Sequence, residues 1–308
     1  MNRKIILMSS VSVVALAAVA GAAQAQDQSI PDGFTLSVEG GALFGPNTLA
    51  EDKLGGSGPS GGIVHMDDNV GYRAAISLGK RLDPFWDLRV TGAINQQLSS
   101  NAGFFASSGS ASVSFSMDTD FDYETLDFEA GYRPALTENF DLRLFGGIRG
   151  LHYKDNIGVF GAISGSGGPD KVGISGDSTT EFFGAGPRLG VEASTRLGDT
   201  MFGVSGLLAG GAAFGVARTT GSATVSYVSG GSGGTVAVPF EAFEETETVY
   251  NLEAALGLDV HLDDAATVTL GYRAEGLFGT GNTSASGGSG SSARWTHGPT
   301  IKLTGYFD

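Results

Sequence analysis

The chain has 308 residues, 50 of them glycine and none cysteine, and carries a formal charge of −15. Without cysteine there is no disulfide framework, thiolate metal site or cysteine nucleophile, and the acidic balance argues against nucleic-acid binding, which draws on basic surface to displace counterions. The glycines follow no G-X-Y period, which excludes a collagen-like fibre.

Residues 1–25 have the form of a secretory signal peptide. Arg3 and Lys4 supply the positive end, a mostly apolar stretch follows, and Ala23-Gln24-Ala25 makes a small-residue cleavage site. The expected mature protein is one domain, 26–308.

From Phe34 onward the dominant signal is period-two alternation, the mark of strands with two different faces. In chain order, Phe34, Leu36 and Val38 alternate with polar residues, then Tyr72 to Leu78, Trp86 to Val90, Leu126 to Tyr132 and Phe140 to Ile148. The second half continues with Phe183 to Val191, Phe202 to Leu208, Tyr250 to Val260, Val268 to Tyr272 and Ile301 to Phe307. That makes ten segments. Met201–Ala217 also admits a transmembrane helix, but its five glycines cost a helix heavily.

The connections alternate as well. Short turns fall near Leu82–Phe85, Pro134–Asn139, Leu197–Thr200 and Leu262–Ala266. Long Gly/Ser/Asp-rich stretches fall near 45–69, 99–119, 155–178, 219–246 and 280–294 and are expected to be loops of little structure. Their acidic clusters (Glu51/Asp52, Asp67/Asp68, Asp118/Asp120 and Glu241 to Glu247) are expected to be solvated, with divalent-cation bridging to lipopolysaccharide as the alternative.

Tight turns on one side and long loops on the other describe a bacterial outer-membrane barrel. Aromatic residues at strand ends (Trp86, Tyr132, Phe140, Phe202, Tyr250, Trp295, Phe307) suit its interfacial girdles. The expected fold is therefore an all-β, antiparallel transmembrane β-barrel of about ten strands, with eight to twelve open. It has long extracellular loops and short periplasmic turns. Ser112–Phe115 or Ser222–Tyr227 would supply an added hairpin in the twelve-strand case. A soluble β-sandwich gives the same alternation, but not the loop asymmetry.

Two stretches carry a family resemblance. One is Phe121-Asp122-Tyr123-Glu124-Thr125-Leu126-Asp127-Phe128-Glu129-Ala130-Gly131-Tyr132-Arg133; the other is Phe182-Phe183-Gly184-Ala185-Gly186-Pro187-Arg188-Leu189-Gly190. They resemble the Legionella-type major outer membrane protein family of pore-forming barrels, over roughly residues 34–308. The resemblance implies a pore in the outer membrane of a Gram-negative bacterium. The missing cysteines depart from the family, so a cysteine-linked oligomer is not implied. So does Asp308 after the penultimate aromatic Phe307.

Parity places Arg73, Arg89, Glu129, Arg143, Arg149, Arg188, Glu192, Glu253, Arg273, Glu275 and Lys302 on the lumen face as the pore-lining set. Glu39, Asp87, Asp127, Asp141, Arg196 and Asp259 share that face. Mixed charges on one confined surface imply ion pairs across strands. A porin-like, narrow passive channel for ions or small hydrophilic solutes is the first functional reading. A closed barrel filled by salt bridges, acting structurally or adhesively through its loops, is the alternative, since ten strands lie near the filled end of the size range.

Asp259-Val260-His261 has the two-residue spacing of an omptin-type protease pair, but lies beside a periplasmic turn, so a lumen ion pair is expected. A lipid esterase using His152 or His297 has little support, and no metal-ligand spacing occurs. No catalytic residue, cofactor or metal is predicted. The expected partners are outer-membrane lipid and lipopolysaccharide, the barrel-assembly machinery, and ions or small solutes, with no nucleic acid.

Overall fold

The computed structural model describes residues 33–45, 63–66, 69–97, 100–108, 111–134, 140–165, 171–198, 200–229, 232–262, 265–280 and 292–307. The expected signal peptide, the acidic pairs Glu51/Asp52 and Asp67/Asp68, and most of the Gly/Ser run at 284–292 lie outside the described residues.

Twelve strand segments form one antiparallel sheet: β1 (Phe34–Gly45), β2 (Ile63–Met66), β3 (Asn69–Arg81), β4 (Trp86–Gln97), β5 (Ser100–Ser108), β6 (Ala111–Tyr132), β7 (Phe140–Ser164), β8 (Lys171–Arg196), β9 (Phe202–Ser229), β10 (Ser232–His261), β11 (Ala266–Thr280) and β12 (Ser292–Phe307). The ring runs β1-β3-β4-β6-β7-β8-β9-β10-β11-β12 and closes where β12 pairs with β1 (Phe34↔Phe307), so ten strands make the wall. β2 and β5 add no wall strands. Met66 pairs with Ala102 in the register of Gly71↔Gln97, so they continue the pairing of β3 and β4 upward. Ser112–Phe115 and Ser222–Tyr227 lie inside β6 and β9, not in an added hairpin. Met201–Ala217 is strand as well, because the ladder with β8 and β10 satisfies its backbone despite the glycines.

Closure explains the inverted burial. With no sheet edge in the bilayer, every backbone group is paired, and side chains alternate between lipid and lumen. Leu256, Phe183 and Leu189 are 75, 74 and 67% exposed, while Arg143, Arg149 and Glu253 are 1, 4 and 2% exposed. Trp86 packs on Tyr132 at the periplasmic rim, ring centroids 5.2 Å apart.

The periplasmic turns are short for local reasons. Asp83 accepts hydrogen bonds from the backbone N–H of Phe85 and Trp86 at 2.7 and 2.8 Å, an Asx-type turn between β3 and β4. Gly198, at φ +60°, supplies the left-handed residue between β8 and β9.

The long connections correct the sequence expectation. Most of 111–119, 155–178 and 219–246 is not loop but strand, so β6 to β10 run 22, 25, 26, 28 and 30 residues. A bilayer crossing takes only about 9–11 residues. The excess stands above the membrane as a one-sided wall, extended by β5 where it pairs with the upper part of β6, because β1, β11 and β12 are only 12, 15 and 16 residues long.

Candidate functional site

The lumen is organised in levels. At the periplasmic end, a cavity of about 1640 Å³ is lined by Arg89, Glu192, Arg196, Lys302, Asp259 and His261, among others. Among the described residues Asp259 has no ion-pair partner, contrary to expectation. It accepts hydrogen bonds from Ser205 Oγ at 3.0 Å and Thr269 Oγ1 at 2.6 Å, while His261 Nδ1 lies 3.1 Å from the Thr267 hydroxyl. Hydroxyl groups thus occupy both members of the pair.

Above the cavity the arginines meet the carboxylates. Arg149 grips Asp127 on the adjacent strand with two 2.7 Å bonds and reaches Glu253 at 3.2 Å and Glu275 at 3.3 Å across the lumen. Arg188 contacts Glu129 at 3.1 Å and Glu253 at 2.9 Å. Arg143 bridges Asp87 at 2.8 Å and Glu129 at 3.0 Å. Arg73 donates to Glu39 at 2.8 Å and to Asn95 at 2.9 Å. Arg273 joins Glu39 to Glu253, and Arg89 pairs with Glu192. All of these guanidinium groups but that of Arg89 are shared between carboxylates on different strands, which offsets the cost of taking charges out of water.

The predicted pore-lining set therefore does gather in the lumen. Ten of its eleven members form this ion-pair layer, and Lys302 lines the cavity beneath it. Asp141 and Arg196 sit exposed at the periplasmic mouth instead of inside.

The next level was missed from the sequence. Phe121, Tyr123, Leu151, Tyr153, Phe182, Ala213, Ala217, Val249 and Leu277 form a buried apolar cluster inside the barrel. Tyr153 stacks on Phe182 with centroids 5.1 Å apart. Tyr123 Oη donates to Glu275 at 2.9 Å, from β6 to β11 on the opposite side of the ring. Higher still, Arg294 of β12 pairs with Asp155 of β7 at 2.6 Å, again across the lumen, with its guanidinium over the Phe121 ring. The signal was present: Phe121 and Tyr123 share the parity of Asp127 and Glu129, and Phe182 that of Arg188.

Glu247, inward-facing and above the last outward apolar residue of β10, closes the top of this cluster by accepting from Tyr153 Oη at 3.2 Å.

A closed ring of ten antiparallel strands, apolar outside and charged within, defines the class: an outer-membrane β-barrel. More narrowly, a family model described as the Legionella pneumophila major outer membrane protein precursor matches residues 64–300, and the chain belongs to that family. Its location is accordingly the outer membrane. Among solved structures, the outer membrane protease OmpT from Escherichia coli is 12% identical over 92% of this chain and 99% of that chain, with a TM-score of 0.45. A major outer membrane protein from Thermus thermophilus is 12% identical over 89% and 99%, with a TM-score of 0.32. Neisserial surface protein A is 10% identical over 88% and 96%, with a TM-score of 0.29. Comparison with curated protein sequences finds no match.

Proposed function

We propose that this outer-membrane barrel is closed to solutes in its folded state and serves as a surface scaffold, holding the extracellular wall of β6 to β10 above the membrane. The observation that carries the reading is contact across the lumen at successive levels: Arg149 to Glu275, Tyr123 to Glu275, and Arg294 to Asp155. A hydrated ion would have to break buried ion pairs and then displace a buried aromatic layer.

One observation favours the narrow-channel alternative. The periplasmic cavity already brings water-sized space up to Arg149 and Glu253, so a rearranged ion-pair layer would leave only the aromatic level to pass.

Single-channel conductance separates the two. Mature protein, shown folded by heat-modifiable gel mobility, is added to a planar bilayer. A closed scaffold gives no reproducible steps. Discrete steps from folded protein would overturn the scaffold and establish the channel; charge reversal at Arg143, Arg149 and Arg188 would then shift its ion selectivity.

A further inference from the structure

The outward face of β6 to β10 carries a feature that the lumen does not explain. Asp122 pairs in register with Lys154, Lys154 with Glu181, Glu181 with Arg218, and Arg218 with Glu244. One charged side chain stands on each of five adjacent strands, and the sign alternates at every step. All five lie on the face away from the lumen. The side chains of Lys154 and Glu181 are 43 and 53% exposed and stand 3.7 Å apart.

The height of this ladder is set by the apolar belt below it. The last large apolar outward residues before it are Leu126, Ile148, Phe183, Val216 and Tyr250, all exposed. Every ladder residue follows its strand's belt residue on the extracellular side. The ladder therefore sits at the headgroup level of the outer leaflet, where solvent-exposed pairs are weak and readily exchanged for other ionic partners.

We propose that this ladder is a docking strip for the phosphorylated sugar headgroup of an outer-leaflet glycolipid. Lys154 and Arg218 would meet phosphates, and the acidic positions would share divalent cations with them. The two cations stand two strand spacings apart, about 10 Å, so a headgroup bearing two phosphates can engage both. A second copy of the chain is the competing occupant: a two-fold pairing centred on Glu181 sets like against like, whereas one centred between Lys154 and Glu181 sets unlike charges opposite, and the spacing of the two cations favours the glycolipid. The inference rests on the outer-membrane location, not on whether the lumen conducts.

The test measures binding of folded full-length protein in detergent to phosphorylated and to dephosphorylated lipid A with magnesium present. At least a tenfold preference for the phosphorylated form is expected, and Lys154→Glu with Arg218→Glu should abolish it. Lys154→Gln with Arg218→Gln is the gentler pair should the first fail to fold. Equal affinity for both lipids, or a preference that survives the substitutions, overturns the proposal. So does a dimer, seen by sedimentation, that the substitutions dissociate: the strip would then be an interface between copies. Conductance is unchanged by these variants whichever way the lumen reading falls.

Discussion

At the scale of single residues, Arg149 shows why the lumen charges act as a unit. It is 4% exposed and serves Asp127, Glu253 and Glu275 at once. Truncation removes both 2.7 Å bonds to Asp127 and one partner each from Glu253 and Glu275, which keep Arg188, Arg273 and Arg73. Breaking a buried pair on one side costs about 3–5 kcal/mol, more than the pair itself contributes, because the remaining charge is left uncompensated. Arg149→Ala should lower folding stability by up to about that amount in a urea titration of lipid-refolded protein. Arg149→Ala combined with Asp127→Ala should recover part of the loss, and no recovery would show that the two residues do not act as a pair. Tyr123 and Phe182 follow a similar logic with apolar means: they fill lumen volume that water would otherwise enter.

At the scale of strands, the Phe-x-Gly-x-Gly-Pro-Arg segment of β8 has a mechanical explanation. A Cβ on Gly186 would stand 1.8 Å from the Ala212 carbonyl oxygen of β9, so only glycine permits that approach. Pro187 follows at once and has no N–H to donate. The β8–β9 pairing skips there, from Ala185↔Phe214 to Arg188↔Gly211. Gly186→Ala must push β8 off β9 directly beside Arg188. The expected outcome is a large loss of the folded, heat-modifiable band, whereas Gly92→Ala, where a Cβ meets nothing within 4 Å, leaves the band intact. Strand location was legible because alternation is imposed by the two different solvents on either side of the wall. Strand length was not. The segments at 155–178 and 219–246 are interrupted by glycine and serine, which mask their strand character in the sequence, yet their described residues are held by ladders with their neighbours, such as Gly176↔Ala223. Pairing with a strand already in place satisfies the backbone whatever the side chain, and that partner is not visible along the chain.

At the scale of the whole molecule, the barrel turns its apolar surface to lipid, so the cost of a charge depends on depth. Leu256, 75% exposed, lies at the middle of the outward apolar run of β10 between Tyr250 and Val260. Leu256→Arg should cost about 2–4 kcal/mol in lipid bilayers. Phe160, 50% exposed on the outward face of β7 above Lys154, is in water, and Phe160→Arg should change stability by no more than about 0.5 kcal/mol. Equal costs at the two sites, measured by equilibrium folding into vesicles, would contradict the placement of the membrane belt.

The sequence by itself determined the all-β barrel class, the place of about ten alternating segments with eight to twelve strands open, and the mixed charge of their polar faces. These follow from local periodicity and turn chemistry, which a linear chain displays. Only the tertiary structure decided that the interior charges neutralise one another across the barrel, that an aromatic layer lies above them, and that half of the wall rises past the membrane. The reason is geometric: Tyr123 and Glu275 are 152 residues apart in the chain and 2.9 Å apart in space. Which residues face one another across a lumen is set by ring closure and by the stagger between strands, and neither is written in the alternation of any one strand.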